Sequence, residues 1–90
     1  MLIKARRMLV LPDGESFKQI TKTYKSSLIP TLGMLVQDSM WHDQLEICEV
    51  VCHFNEDCYY TLLPNLKINS TSAFESQKET LSLHGWTVSP

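Results

Sequence analysis

The stretch LEICEVVCHFNEDCYYTLL, residues 45–63, decides the fold. Residues 45–54 carry apolar side chains at both sets of alternating positions and predict the strongest strand of the chain. They are followed by a turn at residues 55–57 and by a returning strand at residues 58–63, where two tyrosines and a threonine favour strand structure. Because both faces of this hairpin are apolar, helices can cover only one of them. The other face needs either closure of the sheet into a small barrel or a partner chain.

The N-terminal part of the chain predicts one strand followed by a short helix. Residues 2–11 form the strand, which ends at a turn formed by residues 12–14. Residues 16–26 favour a helix because Ser16 and Gln19 have the spacing of a capping box. The apolar side chains of that helix would lie on one face: Phe17, Ile20 and Tyr24. The competing interpretation is the second strand of a hairpin, since the same stretch contains several β-branched and aromatic residues.

The C-terminal part predicts a second helix. Ser72 and Glu75 have capping-box spacing, so the helix is expected over residues 72–84. Gly85 follows at a position where a left-handed residue commonly ends a helix. Residues 86–88 then form a short final strand or pack against the core. The inner face of this helix is marked by two residues: Phe74 and Leu81.

Length and composition indicate one domain with its own core. The chain has 90 residues, of which 43% are hydrophobic and 20% are charged, and its formal net charge is −2. A chain of this length forms one domain, here residues 1–90, and the apolar fraction excludes intrinsic disorder. Residues 1–27 carry six Lys or Arg and two acids, whereas residues 28–63 carry six acids and no Lys or Arg. This separation of basic from acidic residues is compatible with docking between two copies of the chain and also with pairing of the two regions within one chain.

The order of these segments predicts the α+β class, with a strongly bent antiparallel sheet of four or five strands and two helices packed on it. Residues 11–14 (Leu-Pro-Asp-Gly), residues 30–36 and the long hairpin together resemble small SH3-like barrels. The resemblance covers about residues 28–63 and implies a partial barrel, from which the helices at 16–26 and 72–84 depart. The overall sequence is also similar in character to those of uncharacterised bacterial accessory proteins carried on mobile gene cassettes. Neither resemblance supplies catalytic residues.

Cysteine content and targeting signals indicate the compartment. Three cysteines, an odd number, exclude a fully paired set of disulfides. The basic start of the chain is followed by an apolar run from Met8 to Leu11, which is too short for a signal peptide. No apolar run approaches the ~20 residues that span a bilayer, so we expect no membrane partner. We therefore predict a cytoplasmic protein with reduced thiols.

One group resembles a metal site because its members lie close in sequence: Cys48, Cys52, His53 and Cys58. On a strand, however, the chain from Cys48 to Cys52 spans roughly 13 Å, so the two sulfurs cannot share an ion. A two-residue turn at positions 56–57 would also place Cys52 opposite Thr61 rather than opposite a cysteine. Cys58 is expected to be the least buried thiol, but the acids beside it would raise its pKa. We therefore expect no metal, no cofactor and no catalytic residue.

An aromatic loop and the tyrosines of the hairpin indicate a site for a small ligand. Acidic residues flank the loop, which contains a tryptophan. Exposing a tryptophan to water without a binding partner is unfavourable, so we expect this residue either to pack against the core or to form part of a contact surface. Clefts between a sheet and its covering layer are common ligand sites. We expect such a ligand to bind between the loop and the sheet, against four residues: Trp41, His42, Tyr59 and Tyr60.

Nucleic-acid binding is a further hypothesis. If residues 16–26 are helical, three lysines form one ridge: Lys18, Lys22 and Lys25. Such a ridge would contact phosphates. The sequence pI of about 5.8 and the acidic residues 28–63 argue against a polyanionic partner.

Self-association has the most support from the sequence. The chain has a strand with two apolar faces, four Met, two Trp and three Tyr. Together they provide more apolar surface than a monomer of 90 residues readily buries. Aromatic residues and Met are enriched in the cores of interfaces. We predict a homodimer, because two-fold symmetry is the commonest closed arrangement. Since no catalytic motif is present, the expected role is that of a non-enzymatic binding or adaptor module that acts through protein contacts.

Overall fold

The computed structural model of the chain describes residues 1–89. These residues form eight strands and one helix: β1 (Leu2–Val10), β2 (Phe17–Lys25), β3 (Leu35–Val36), β4 (Leu45–Glu46), β5 (Glu49–His53), β6 (Cys58–Leu62), β7 (Leu66–Lys67), α1 (Thr71–Leu83) and β8 (Thr87–Ser89). The main sheet has the order β5-β6-β1-β2-β8, and β7 pairs with the end of β1. β3 and β4 form a separate two-stranded sheet. The predicted α+β class is confirmed.

The core lies on one face of the main sheet, which we call the inner face. It carries Ala5, Leu9 and Ile20, which belong to one buried cluster with Phe74 and Leu81 of α1. Every buried residue of β1 and β2 points to this side. The residues of the same two strands on the opposite, outer face are half-buried or exposed. The helix and the long connection between β2 and β5 therefore cover the inner face alone.

β1 and β2 form an antiparallel hairpin that pairs over nine residues at the centre of the sheet. The turn between them is held by Asp13, whose carboxylate accepts hydrogen bonds from the backbone N–H groups of Glu15 at 2.9 Å and Ser16 at 2.8 Å. Gly14 supplies a φ of 73°, which a residue without a Cβ adopts at little cost. The turn predicted from the Pro-Asp-Gly sequence is confirmed.

The helix predicted over residues 16–26 is wrong, because this stretch is strand β2. Ser16, expected to cap a helix, instead donates its hydroxyl to the Asp13 carboxylate at 2.6 Å. Ile20 and Tyr24 share the inner face, which strand alternation allows as readily as a helix, since they are an even number of residues apart. Phe17 falls on the outer face. Nine paired residues beside β1 outweigh the local helical pattern, and the competing interpretation as a strand is confirmed.

The sheet is mixed, whereas the sequence predicted an antiparallel one. β6 and β7 both run parallel to β1 and pair with its first and last parts. The interruption between them contains Pro64, which has no N–H to give to a ladder. Its carbonyl oxygen accepts a hydrogen bond from Nε of Arg7 at 2.8 Å. A hydrophobic pattern indicates which residues form strands but not the direction of their neighbours, so the parallel pairing cannot be predicted from it.

The predicted hairpin is present as β5 and β6, but its first strand is shorter and its turn is longer than expected. The predicted strand over residues 45–54 is divided into β4 and β5 by a break of two residues. The turn is a loop of four residues, 54–57, whose last residue has a φ of 54°. Cys52 therefore pairs with Tyr59 instead of Thr61.

The C-terminal helix is confirmed as α1, displaced by one residue from the prediction. Its N-cap is Ser70, whose hydroxyl accepts a hydrogen bond from the N–H of Ala73 at 3.1 Å, and not Ser72. Gly85 follows the helix with a φ of 85°, as expected. Trp86 is buried, and the predicted final strand is β8. Because residues 16–26 are a strand, α1 is the one helix of the described chain.

The SH3-like barrel is not confirmed. Across residues 1–89 the main sheet is open, with β5 and β8 at its two ends. Six strands contribute to it, one more than the predicted maximum. An open sheet leaves unpaired backbone groups along both edges, here β5 and β8.

Candidate functional site

The four residues predicted to bind a ligand do not share one site. Trp41 is half-buried, and its ring meets that of Trp86 edge-on, with 6.0 Å between the ring centroids. His42 is exposed in the same loop. Tyr59 and Tyr60 are neighbours on β6, so their side chains point to opposite faces of the sheet. Of the two roles expected for Trp41, packing is the one that the structure has.

A buried cation explains why Trp41 packs where it does. Arg7 is 5% exposed, and its guanidinium carbon lies 4.3 Å from the centroid of the Trp41 ring. Burial lowers the pKa of Arg7, but a guanidinium stays charged in proteins. The ring face and the Pro64 carbonyl therefore stabilise a positive charge that would otherwise lack partners.

Asp38 is the centre of the largest polar cluster under the loop. Its Oδ1 accepts hydrogen bonds from Nζ of Lys22 and the hydroxyl of Tyr24, both at 2.6 Å. Its Oδ2 accepts from Nε1 of Trp86 at 3.0 Å and from the backbone N–H of Met40 at 2.9 Å. The carboxylate thereby fastens the connection between β2 and β5 to β2 and to the residue before β8.

The protonation states in this cluster follow from its contacts. Burial alone would raise the pKa of Asp38, but the hydrogen bonds from Lys22, Tyr24, Met40 and Trp86 outweigh burial and hold that pKa well below 3.8. Burial and the Asp38 carboxylate raise the pKa of Tyr24 well above its usual value. At neutral pH the cluster therefore holds a carboxylate and a neutral phenol.

The lysine ridge predicted for nucleic-acid binding is not formed. Lys18 and Lys22 lie on the inner face, whereas Lys25 points to the outer face. Lys22 is also engaged by Asp38. Helical spacing would have placed the three ammonium groups on one side, but strand alternation separates them. The three lysines provide no continuous basic surface.

The basic and acidic parts of the chain meet inside one molecule at two places. Lys22 pairs with Asp38, with a distance of 2.6 Å between Nζ and Oδ1. On the outer face, Nζ of Lys4 lies 3.6 Å from Oε2 of Glu56, which also accepts a hydrogen bond from the Tyr60 hydroxyl. Some of the basic residues of 1–27 and the acidic residues of 28–63 therefore pair within one chain.

A cavity of about 460 Å³ lies between the inner face of the sheet and the connection from β2 to β4. Its volume falls in the range of about 300–1,000 Å³ that ligand sites occupy. Its walls are mainly apolar, and they comprise Ile3, Ala5, Tyr24, Lys25, Ser26, Leu28, Leu35, Val36, Gln37, Asp38, Leu45, Thr61 and Leu63. None of the four predicted ligand residues lines it.

Residues 28–35, which we call the apolar segment, expose four large side chains. Leu28, Ile29, Leu32 and Leu35 are 60–72% exposed. The N–H of Gly33 donates to the carbonyl of Ile47 at 2.9 Å, which holds the apolar segment beside the chain that leads into β5. This surface was not predicted from the sequence. Its signal is the recurrence of aliphatic residues around Pro30 and Gly33, two residues that interrupt regular structure in this stretch.

The β5 edge exposes further apolar side chains. Val51 is 45% exposed on the outer face, and Phe54, directly after β5, is 90% exposed. Exposed apolar residues therefore lie at both ends of β5, with the apolar segment at its start and Phe54 at its end. Surfaces of this kind are typical of protein contacts.

The three cysteines are free thiols, and their exposure is the reverse of the expected one. Cys48 and Cys52 are exposed, whereas Cys58 is buried, so the prediction that Cys58 is the least buried is wrong. Cys58 is the first residue of β6, where pairing with both β1 and β5 covers it. Burial and the Glu56 carboxylate, whose Oε2 lies 3.6 Å from Sγ, raise the pKa of the Cys58 thiol.

Comparison with protein-family models, with curated proteins and with solved structures found no match to this chain. Among residues 1–89, no group of three or more His, Cys, Asp or Glu side chains is arranged to hold a metal ion. The described part of the chain also contains no helix of the length and apolarity needed to cross a bilayer. The resemblance to SH3-like barrels and to cassette-borne proteins stays a prediction.

Proposed function

We propose that this chain is a small non-enzymatic binding module that acts through protein contacts and assembles as a homodimer. The observation that carries the proposal is the exposure of large apolar side chains at both ends of β5. Leu32 in the apolar segment is 72% exposed, and Phe54 at the hairpin tip is 90% exposed. Removing apolar surface from water contributes about 25 cal/mol per Å², so a partner that covers these side chains gains binding energy.

A protein surface is the partner that fits this distribution best. Exposed apolar residues scattered singly are normal, but groups of them mark contact sites. The exposed residues are aliphatic and aromatic, and aromatic side chains are enriched in interface cores. The open sheet supports a second copy in particular, because β5 is an end strand whose unpaired backbone groups a strand of another chain can bind.

Sedimentation equilibrium of the full chain over a range of concentrations tests this proposal. We expect the dimer mass at micromolar concentration. Phe54→Ser should weaken association by about tenfold, or roughly 1.4 kcal/mol, because it removes the most exposed apolar side chain beside β5. Leu83→Ser is the matched control, since Leu83 is 81% exposed on α1, and we expect it to leave association unchanged.

A strict monomer up to high micromolar concentration would overturn the homodimer. An equal loss of association in Phe54→Ser and Leu83→Ser would show that general surface apolarity, and not the hairpin tip, drives self-association.

The cavity favours a second candidate function, the binding of a small and mainly apolar molecule. It has the volume of a ligand site, and Thr61, a buried polar residue, is among the residues of its wall. This cavity lies elsewhere than the predicted site, because the loop that contains Trp41 and His42 does not line it, and it uses other residues than the four predicted ones.

A fluorescence titration with anilinonaphthalene sulfonate tests the cavity. We expect the wild-type chain to enhance the dye's emission and Ala5→Val to reduce that enhancement, because the larger side chain fills the cavity from β1. Thr23→Val, at an exposed position outside the cavity wall, is the control. Equal enhancement by the wild type and Ala5→Val would count against a ligand in this cavity.

A cytoplasmic setting is part of the proposal. Its support is that all three cysteines are free thiols and that two of them are exposed. Exposed thiols persist in a reducing compartment.

A further inference from the structure

We infer that the second copy binds along β5, so that two β5 strands pair antiparallel about a two-fold axis at Val51 and join the two sheets into one. This inference rests on the proposed homodimer and specifies its contact. β5 is an end strand of the sheet and has five residues, whereas β8 at the other end has three. Short edge strands are one way in which proteins avoid pairing with other chains, so β5 is the edge better suited to it.

Full overlap of β5 with itself fixes the register. Glu49 then lies opposite His53 of the second copy, Val50 opposite Cys52, and Val51 opposite Val51. Residues directly opposite each other in an antiparallel pair have side chains on the same face. Each dimer therefore contains two pairs of a carboxylate and an imidazole on the outer face, with the two Val51 side chains between them.

Charge complementarity favours this register over its neighbours. Glu49 takes part in no ion pair among residues 1–89 and is exposed. A shift of two residues in either direction would place Glu49 opposite Val51 or Asn55 and would remove both pairs with His53. His53 is half-buried, and its ring meets that of Tyr60 edge-on with 6.0 Å between the ring centroids, so the imidazole is held on the outer face where Glu49 of the second copy lies.

The same register accounts for the exposed apolar residues. Phe54 follows His53, so Phe54 of the second copy comes to lie beside Cys48. Cys48 is adjacent to Ile47, whose carbonyl accepts the hydrogen bond from Gly33 of the apolar segment. Phe54, the most exposed of the large apolar side chains of one copy, is thereby brought next to the apolar segment of the other, and two-fold symmetry repeats this contact.

Disulfide trapping tests the register. The exposed thiols are first removed by Cys48→Ser and Cys52→Ser, and the buried Cys58 is kept. Val51→Cys in this background should shift from monomer to a reducible dimer on a non-reducing gel, because directly opposed strand residues have Cα atoms about 4.5–5.5 Å apart. The matched control is the single substitution Cys48→Ser, which keeps Glu49 and His53 and leaves the natural Cys52 as the exposed cysteine of β5. In the inferred register its two Cys52 residues are offset by about 7 Å along the strands, too far for a disulfide.

The outcomes separate this inference from the proposed function. Cross-linking of Val51→Cys but not of the Cys48→Ser control supports the register. Equal cross-linking of both, or preferential cross-linking of the control, overturns it. A dimer in sedimentation without cross-linking at position 51 overturns the β5 contact and leaves the homodimer standing. A monomer in sedimentation overturns both.

A second variant keeps the test valid if Val51→Cys does not fold. Val50→Cys in a chain that also carries Cys48→Ser and keeps the natural Cys52 places two opposed cysteine pairs in the inferred dimer, and it leaves Glu49, Val51 and His53 intact. We expect a reducible dimer from this double variant. Its absence, with circular dichroism like that of the wild type, would contradict the inferred register.

Discussion

At the scale of single residues, the Asp38 carboxylate joins parts of the chain that are distant in sequence. It accepts hydrogen bonds from β2 and from Trp86, and it fixes the connection that covers the inner face. In the sequence, Asp38 is only one of the acids that flank the aromatic loop. Its partners lie up to 48 residues away, and a local pattern contains no information about contacts of that range.

Asp38→Asn should lower the free energy of unfolding by about 3 kcal/mol, because it leaves the Lys22 ammonium without its carboxylate in a largely buried site. Urea unfolding followed by circular dichroism measures this change. Asp43→Asn is the matched control, since Asp43 lies exposed in the same loop and should change stability by no more than about 0.5 kcal/mol. Equal effects of the two substitutions would contradict the role of Asp38.

The pH dependence of stability should report the same carboxylate. Because the pKa of Asp38 is depressed in the folded chain below 3.8, its stabilising contribution is fully present above that value and is lost as the pH falls through the folded pKa. The difference in unfolding free energy between the wild type and Asp38→Asn should therefore shrink at acidic pH. Asp13 and Glu56 also have lowered pKa values, but they act in both proteins and cancel in the difference. A difference that stays constant into strong acid would contradict this explanation.

At the scale of elements, the N-cap of α1 is a different residue in the structure from the one that the sequence pattern predicts. The capping-box spacing points to Ser72, but the hydroxyl that accepts the hydrogen bond from Ala73 belongs to Ser70. Ser70→Ala should lower the free energy of unfolding by about 1 kcal/mol, whereas Ser72→Ala, inside the helix, should be nearly neutral. Thermal or urea unfolding of the two variants compares them directly. A larger loss in Ser72→Ala would place the N-cap where the sequence pattern put it.

The elements also show how far the sequence predicts the fold. Three elements follow from residue types and their spacing and are confirmed: the hairpin of β5 and β6, the turn at Asp13 and helix α1. β2 was predicted as a helix because Ile20 and Tyr24 fit both periodicities and because a nine-residue pairing partner cannot be seen locally. The parallel pairing of β6 with β1 likewise depends on how the whole chain is arranged.

At the scale of the whole molecule, the candidate surface could be predicted only in part. The hairpin can be predicted from residues 45–63, but the unpaired edge of β5 follows only from the open sheet that the described residues form. Trp41 was expected at a ligand site, yet the buried Arg7 holds its ring in the structure. The apolar segment becomes visible only when the fold shows which aliphatic side chains remain uncovered.

Amide hydrogen exchange at low and at high protein concentration tests self-association through β5 most directly. The unpaired N–H groups of an edge strand exchange readily in a monomer and become protected when a second strand pairs with them. We predict that exchange slows with concentration within residues 49–53 and stays unchanged in β8, the other edge. Exchange in β5 that does not depend on concentration, or protection that appears in β8 instead, would contradict dimerisation through β5.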